Sequence, residues 1–402
     1  MNVLFFCHAD FSSNSMGHIA GFAAGLARRG HACAAAIPGD VRDSAAALGD
    51  HPPLRPVLFS DTWERTGEIF PDGRPADVLH AWTPREHVRR ALERCQVAMP
   101  AARAAIHLED NEQFLAERFS GEPYARLRRH SDAEILEKLP QTLAHPRPSQ
   151  RFLRAAHGVT AIIRPLRKFV PLGTPFAELW PGVDFGRNRP GPADPALRAS
   201  LGLRPQERVL CYPGNSHFAN LEELQTLYEA VFLLNREGVP CRLLRTGADT
   251  VPDFAARFDP ALLAAHVLHL GWVDAARLPD LLRLADALVQ PGRADAFNRY
   301  RLPSKLPEFL ASGRPVVLPR ANVAHRMVDG RDGLFLETGT PQEIAARCRQ
   351  IFVDPALAER LATGAAAFAR RHFDADANAG TLEDFYRRLR RPWRSLLPFL
   401  NR

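Results

Sequence analysis

The fold is decided by the stretch GWVDAARLPDLLRLADALVQPGRADAFNRYRLPSKLPEFLASGRPVVLP, residues 271–319. Two short apolar runs lie in it, DALVQPG at 286–292 and RPVVLP at 314–319, and the segment between them ends with helical spacing. Ser304 is suited to cap that helix and Gly313 to end it. A strand, a helix and a strand in this order predict two parallel strands joined by a helical crossover.

The start of this helix has the chemistry of an anion-binding site. It follows the carboxyl end of the run at 286–292, so its free N–H groups and the positive end of its dipole can face a phosphate. Lys305 and Glu308 share one face of the helix at i, i+3 spacing. A carboxylate one turn into the helix can accept hydrogen bonds from two sugar hydroxyls. The segment therefore predicts a site for a phosphorylated ribose.

Short apolar runs alternate with amphipathic stretches over both halves of the chain. One of the amphipathic stretches predicts a helix from about Gly17 to Arg29. This order is typical of parallel sheets covered by helices on both faces. The other predicted strands are VLFFC at 3–7, ACAAAIP at 32–38, DVLHAW at 77–82, AAIHL at 104–108, GVTAII at 158–163, RVLCYPG at 208–214, CRLLRTG at 241–247, VLHLG at 267–271 and GLFLE at 333–337.

The alternation lapses between Pro181 and Pro205, in a stretch rich in Pro, Gly and Asp that predicts a linker. We therefore expect two doubly wound α/β domains, residues 1–184 and 206–375, joined by residues 185–205. A C-terminal helix at about 376–402 is expected to pack back on the first domain. Ligands bind at the carboxyl ends of the strands in such sheets, so two facing domains imply a site in the cleft between them.

Composition indicates a soluble globular protein, with 46% hydrophobic and 24% charged residues in 402. The sequence has no apolar run of the roughly 18–20 residues that would cross a bilayer. MNVLFFCHADF at the start has no basic region and predicts a buried strand instead of an export signal. The six cysteines are scattered singly, which predicts reduced core thiols and no zinc site. We expect a cytoplasmic protein.

The net charge of +7 comes almost wholly from arginine. A basic surface favours anionic partners such as nucleotide sugars or anionic lipid. No zinc finger, RNP-type aromatic motif or basic dimerisation helix is found, so nucleic acid is not expected as a partner.

The stretch at 271–319 resembles the retaining GT-B glycosyltransferases of the group 1, or family 4, type. The resemblance implies an α/β fold of two Rossmann-like domains that face each other across a cleft. The first domain would bind the acceptor and the second the donor. The residues that match the family pattern are Gly271, Val273, Ala285, Asp286, Pro291, Pro303, Lys305, Glu308, Ala311, Gly313, Pro315, Val316 and Val317.

By this resemblance, a sugar would pass from a nucleotide-diphosphate donor to a hydroxyl of a glycan, a lipid-linked molecule or a small molecule. The nucleotide sugar is a co-substrate, and neither a cofactor nor a metal ion is expected. Glu308 would bind the ribose, and Lys305 or Arg301 would lie near the diphosphate. Ser304, at the helix start, and Val273, within the matching pattern, complete this part of the donor site.

Two departures from the family pattern concern the catalytic groups. Tyr300 stands where the family usually has an acid, and Asp295 is either its substitute or an ordinary solvated loop acid. The segment GNSHFANLEEL at 214–224 lacks the family's Arg/Lys pair, which neutralises the leaving diphosphate. Asn215, Ser216 and His217 could still donate hydrogen bonds there, and Gly214 is expected beside the donor as well. The cations available as replacements are Arg245, Arg299, Arg301 and Lys305.

In the first domain, Gly17 at a helix start would let the backbone approach a ligand. The segment AIHLEDNEQF at 105–114 places His107 nearest to the family's catalytic histidine. Glu109 and Asp110 follow it at the carboxyl end of the predicted strand. This cluster is either catalytic or the N-cap of the next helix.

The tail FYRRLRRPWRSLLPFLNR is basic with interspersed apolar residues, so beyond Leu389 it would either pack or touch the inner face of a membrane. Two other functions fit the sequence. One is a nucleotide-sugar epimerase or hydrolase of the same fold, and the other is a degenerate protein that binds nucleotide sugars as a partner subunit.

Overall fold

A computed structural model of the chain describes residues 1–39, 54–216 and 220–390. The chain divides into two compact units. The first consists of Met1–Gly182 together with the C-terminal segment from Ala375, and the second is Val183–Asp374. The segment predicted as a linker, 185–205, lies within the second unit.

The first unit is built on a parallel sheet whose described strands have the order β3-β2-β1-β4-β5-β6-β7. The two strands Asn2–Cys7 and Val78–Trp82 at its centre are buried from end to end, as expected for strands covered on both faces. The order reverses at β1, which has β2 on one side and β4 on the other. The strands are β1 (Asn2–Cys7), β2 (Ala32–Ile37), β3 (Leu54–Leu58), β4 (Val78–Trp82), β5 (Arg103–Leu108), β6 (Gly158–Ala161) and β7 (Phe176–Glu178).

The first helix of this unit packs on the sheet through its apolar face, whereas helices within 112–138 share a small apolar cluster of their own. The first begins at Asn14, three residues before the predicted start, because the Ser13 hydroxyl caps it by accepting from the N–H of Met16. The helices are α1 (Asn14–Arg28), α2 (Asp61–Glu64), α3 (Glu86–Ala98), α4 (Glu112–Ser120), α5 (Tyr124–Leu127), α6 (Asp132–Lys138) and α7 (Pro146–Ala155).

The helix Ala375–Arg390, the last one among the described residues, belongs to this first unit. It packs so closely that a side chain at Gly25 of α1 would collide with Ala379. A Cβ at Gly158 would lie 2.7 Å from the ring of Phe385. Glu383 accepts a hydrogen bond of 2.9 Å from Nε2 of His31. The first sheet is therefore covered in part by residues from the opposite end of the sequence.

The second unit has a parallel sheet with the described strand order β10-β9-β8-β11-β12-β13. Here the order reverses between β8 and β11, so the topological switch point lies at their carboxyl ends. The strands are β8 (Arg208–Pro213), β9 (Cys241–Thr246), β10 (Val267–His269), β11 (Ala287–Val289), β12 (Val316–Pro319) and β13 (Leu334–Leu336).

The helices of the second unit surround this sheet, with a core of aliphatic and aromatic residues beneath them. In chain order they are α8 (Pro195–Ser200), α9 (Leu221–Arg236), α10 (Pro260–His266), α11 (Leu278–Arg283), α12 (Leu306–Ala311), α13 (Pro341–Val353) and α14 (Pro355–His372), and the helix Ala375–Arg390 of the first unit is α15.

The crossover helix α12 differs from its prediction at the start and agrees with it at the end. Lys305 occupies the N-cap position and makes no capping hydrogen bond with its side chain, so the expected cap at Ser304 is wrong. Gly313 follows the helix with φ +69°, the left-handed conformation that favours glycine. A Cβ there would also lie 2.6 Å from Pro190.

All six cysteines are buried and free, which confirms their prediction as core thiols. Within the described ranges, none of the helices combines the length and the apolar character needed to cross a membrane. The predicted tail contact, with its apolar residues after Leu389, lies outside the described residues from position 391 onward.

Candidate functional site

Two loops lie at the topological switch point of the second unit. Gly214 and Asn215 follow β8, and the segment 290–305 follows β11 and leads into α12. Since ligands of open parallel sheets bind at this position, these loops and the start of α12 form the first candidate site.

Lys305 lies against the turn after β8. Its Nζ is 3.3 Å from the hydroxyl of Tyr212 and 4.5 Å from the centre of the Tyr212 ring. A Cβ added at Gly214 would meet Lys305 Cε at 3.1 Å, and Gly214 has φ +132°. No ion pair of Lys305 is found among the described residues. The glycine therefore leaves room for an ammonium group that can serve an anionic ligand.

Glu308 lies in the first turn of α12 and is half-buried. Its carboxylate accepts no hydrogen bond from the described part of the chain. Burial raises the pKa of this carboxyl, and the charge of Arg187 offsets the increase only in part. A desolvated carboxylate without donors gains most when ligand hydroxyls supply them.

An acid that the sequence does not single out lies beside these residues. Glu223, in the first turn of α9, pairs with Arg301 at 2.9 Å and accepts a hydrogen bond of 2.5 Å from Asn298 Nδ2. Burial raises the pKa of Glu223 despite the Arg301 charge. In the sequence Glu223 looks like an ordinary acid of a helix's first turn, and only the fold reveals its partner 78 residues later.

The remaining predicted residues of this unit have mostly local roles. One oxygen of Asp295 accepts from the N–H groups of Phe297 and Asn298, at 3.0 and 2.8 Å, so it orders its own loop. Asn215 accepts from the N–H of Ala248 at 2.8 Å and joins the turns after β8 and β9. Val273, after β10, is half-buried.

Arg245 does not have the role that the sequence predicts. Instead of replacing a missing phosphate-binding cation, it is fully buried. It donates to Asp249 at 2.5 Å and to the hydroxyl of Tyr228 at 2.9 Å, and Phe254 packs against its guanidinium. These contacts hold the charge inside the unit, where it cannot meet a ligand.

The first unit has a second cluster at the carboxyl ends of its strands. Glu109, just after β5, accepts hydrogen bonds from Trp82 Nε1 at 2.8 Å, from His18 Nδ1 at 2.9 Å and from the hydroxyl of Ser15. Burial alone would raise the pKa of Glu109, but the hydrogen bond and charge of His18 outweigh it and hold the pKa far below its usual range. The cluster thus contains a buried carboxylate that aligns a histidine of α1.

The structure corrects the prediction that His107 is catalytic. It is fully buried on β5, stacked on Trp82 with ring centres 4.0 Å apart, and its Nδ1 is 2.8 Å from the hydroxyl of Thr160. Burial lowers its pKa to about 3. His107 is therefore a neutral core residue.

Asp110 and Gly17 lie at the same edge of the sheet. Asp110 is 3.8 Å from Arg85, which also pairs with Glu112 at 3.2 Å. Gly17 lies in α1, exposed, and a Cβ there would meet no atom within 4 Å.

Thr83, directly after β4, is buried with φ +81°, a strained conformation for a β-branched residue.

No group of three or more residues of the types that bind metals is found within the ranges that the structure describes.

The unit that contains the first candidate site is similar to a known protein family. The family model described as "Glycosyl transferases group 1" matches residues 207–354, which lie in the second unit. The D-inositol 3-phosphate glycosyltransferase of Streptomyces bingchenggensis is 28% identical over 232 residues, which are 55% of this chain and 49% of that protein. The chain spans about half the length of the curated relatives that it matches first.

Solved structures match almost the whole chain. Anabaena HepE in complex with UDP-glucose has a TM-score of 0.69 at 16% identity, covering 96% of this chain and 98% of that one. A glycosyltransferase from Rickettsia africae has a TM-score of 0.70 at 13% identity, with 96% and 98% coverage. These likenesses show the GT-B fold, as the sequence predicts.

Proposed function

Since the chain carries a group 1 glycosyltransferase domain at residues 207–354, we propose that it transfers a sugar from a nucleoside-diphosphate donor to a hydroxyl of an acceptor. In this reaction the bond between the anomeric carbon and the diphosphate breaks. A bond to the acceptor oxygen forms, and the hydroxyl proton is released.

The observation that carries the proposal is the state of Glu308. A half-buried carboxylate that accepts no hydrogen bond from the described chain is suited to the two hydroxyls of a ribose. It lies one turn into a helix that starts at the switch point, next to the cation Lys305. A ribose followed by a phosphate matches this order of groups.

Lys305 is the main cation for the leaving diphosphate in this proposal. The charge of Arg301 is shared with Glu223, and Arg245 is buried with Asp249. Stabilising the negative charge of a leaving group is usually among the largest contributions to catalysis. We further propose that groups of the protein stabilise the negative charge of the leaving diphosphate without a metal ion. The configuration at the anomeric carbon is proposed to be retained.

The acceptor is proposed to be a polyol, a glycan or a lipid-linked molecule. The relatives are called D-inositol 3-phosphate glycosyltransferases, which favours a phosphorylated polyol as the first acceptor to test. We also propose that the protein acts in bacterial polysaccharide synthesis and is located in the cytoplasm. Its basic tail is proposed to contact a membrane.

The function is tested by incubating the purified chain with UDP-, GDP-, ADP- and TDP-sugars, with and without acceptor, and measuring both nucleotide release and the glycosylated product. Release that depends on the acceptor, with retained configuration in the product, is expected. Release without acceptor would identify a hydrolase, and an altered free nucleotide sugar would identify an epimerase. Repeating the assay with EDTA tests the independence from metal ions.

A second candidate function is a binding protein that has lost its catalytic power. The observation that favours it is the engagement of Arg301 and Arg245 by carboxylates, which leaves few cations for the diphosphate. Tight nucleotide binding in calorimetry, with no turnover for any donor and acceptor pair, would support this function and exclude the first.

A further inference from the structure

One ion pair joins the loop after β11 to α9, the helix that follows β8. Arg301 Nη2 donates to Glu223 Oε2 at 2.9 Å, although the two residues are 78 positions apart in the chain. The side chains of both are only 13% exposed. Gly292 makes their approach possible, because a Cβ there would lie 2.8 Å from Glu223 Oε1. The pair therefore connects the two strands between which the sheet order reverses.

Asn298 and Phe297 complete the surroundings of the Arg301 guanidinium. Oδ1 of Asn298 accepts from Arg301 Nε at 3.1 Å and from Nη2 at 2.8 Å, and its Nδ2 donates to Glu223 at 2.5 Å. The guanidinium carbon lies 3.9 Å from the centre of the Phe297 ring. Contacts along one edge and over one face fix the plane of the guanidinium group.

The opposite edge of the guanidinium remains for a ligand. Nη1 of Arg301 donates no hydrogen bond to the described part of the chain. Because this side chain is mostly buried, its unused N–H groups gain from an acceptor oxygen. A guanidinium is well suited to phosphate oxygens, and Lys305 follows four residues later in the same loop.

We propose that Glu223 and Asn298 are positioning residues, which hold Arg301 so that its Nη1 meets the leaving diphosphate of the donor. This role rests on the proposed function. Arg301 and Lys305 then replace the pair of cations that the segment 214–224 lacks. Glu223 offsets part of the Arg301 charge, but it supplies a fixed orientation, and a fixed donor needs no reorganisation while negative charge develops on the diphosphate.

An acid beside an anion site has two opposite effects on binding. Its charge repels a phosphate, so removing Glu223 should strengthen diphosphate binding if the acid only neutralises Arg301. Removing it should instead weaken diphosphate binding if the acid orients Arg301, because the guanidinium then has to be ordered by the ligand. The sign of the change in affinity therefore separates the two roles.

Calorimetry on the full chain measures the affinities for UDP, GDP, ADP and TDP and for their nucleosides, and the diphosphate that binds most tightly is used with its nucleoside for the variants. Glu223→Ala, Asn298→Ala and Arg301→Ala should each lower the affinity for the nucleoside diphosphate by about tenfold and leave the affinity for the nucleoside unchanged. Glu223→Gln keeps an acceptor oxygen for Arg301 and should recover part of the loss. Glu222→Gln, an exposed acid in the same helical turn, is the matched control and should stay within about twofold of the parent chain.

The double variant isolates the coupling between the two side chains. When Arg301 is already replaced by alanine, Glu223→Ala should strengthen binding of the nucleoside diphosphate, because only the repulsion by the acid is left to remove. The inference is overturned if Glu223→Ala fails to weaken diphosphate binding in the parent chain. It is also overturned if this variant weakens nucleoside binding equally, or if it weakens diphosphate binding when Arg301 is absent.

The failure of this inference differs from the failure of the proposed function. Diphosphate binding that follows the expected pattern without any sugar transfer would contradict the proposed function and leave the positioning of Arg301 intact. Sugar transfer by the parent chain with unchanged diphosphate binding in Glu223→Ala would contradict the positioning role alone. Absence of nucleoside diphosphate binding in the parent chain would contradict both.

Discussion

The hydroxyl of Tyr386 lies 2.7 Å from Nδ1 of His80, and this contact joins α15 to the middle of the first sheet. The other ring nitrogen of His80 is 3.1 Å from the hydroxyl of Thr160, which is in turn 2.8 Å from Nδ1 of His107. All four side chains are fully buried. A continuous chain of polar groups therefore crosses from α15 through β4 and β6 to β5.

Removing the hydroxyl of Tyr386 should destabilise the first unit. Tyr386→Phe leaves Nδ1 of His80 buried without a partner, which costs about 1–3 kcal/mol of the free energy of unfolding. Urea unfolding measures this cost. Thr381→Ala is the matched control, since it removes a hydroxyl from the exposed face of the same helix and should cost less than about 0.5 kcal/mol. Equal costs in both variants would contradict the role of the network.

The buried histidines should make the protein sensitive to acid. Burial lowers the pKa of His107 from 6.5 to about 3, and it lowers the pKa of His80 as well. The unfolded chain therefore binds more protons than the native chain in this interval, so the free energy of unfolding falls as the pH is lowered from 6.5 towards 3. Each such histidine contributes up to about 1.4 kcal/mol per pH unit.

His107→Phe keeps a ring on Trp82 and removes one of these titrating groups. Its free energy of unfolding should fall less steeply between pH 6.5 and 3 than that of the parent chain. Urea titrations at a series of pH values give both slopes. Identical slopes would show that His107 is protonated as readily in the native state as in the unfolded state.

Glu308→Ala should weaken the binding of a nucleoside and of its diphosphate alike by about 10- to 100-fold, whichever base the chain prefers, which corresponds to the loss of charged hydrogen bonds to the ribose. Its thermal stability should change little, because a half-buried carboxylate without protein donors contributes little to the fold. Calorimetry with both ligands provides the test. Glu222→Gln, an exposed acid in the first turn of α9, is the control, and unchanged affinity in the Glu308 variant would refute the site.

The affinity for the nucleoside should also depend on pH through Glu308. The raised pKa of this carboxyl means that protonation, and with it the loss of ribose binding, begins at a higher pH than for an ordinary glutamate. Glu308→Gln should remove this dependence. A parallel decline in both proteins would assign the effect to another group.

Lys305→Ala should affect the phosphates and leave the nucleoside unaffected. We expect the affinity for the nucleoside diphosphate to fall by about tenfold and the affinity for the nucleoside to stay unchanged, since the ammonium would contact only the diphosphate. Lys305→Arg should restore part of the affinity for the nucleoside diphosphate. An equal loss for nucleoside and nucleoside diphosphate would instead indicate that Lys305 supports the turn at Gly214.

The sequence is most informative where local chemistry and packing agree. The stretch 302–319 predicts the crossover helix, its terminating glycine and the acid in its first turn, because periodicity and a left-handed glycine are local properties. The predicted cap at Ser304 is wrong, since the helix starts two residues later with no side-chain cap. Helix boundaries depend on single hydrogen bonds, which several neighbouring residues could make.

The environments of single side chains could not be predicted, because they depend on partners far away in the sequence. Arg245 looks in the sequence like a free cation at the end of a strand, but Asp249 and aromatic rings enclose it. Glu223 looks like an ordinary surface acid, but Arg301 reaches it across the switch point. The face of β5 on which His107 lies could not be predicted either, because both faces of the sheet are covered.

The position of the last helix also affects the order of folding during protein synthesis. The residues of the second unit follow one another without interruption, so this unit can fold as soon as it leaves the ribosome. The first unit is translated earlier but must wait for about two hundred further residues before Tyr386 can reach His80. Until then a nascent first sheet lacks one of its covering helices, and a premature stop after Asp374 would release it in that state.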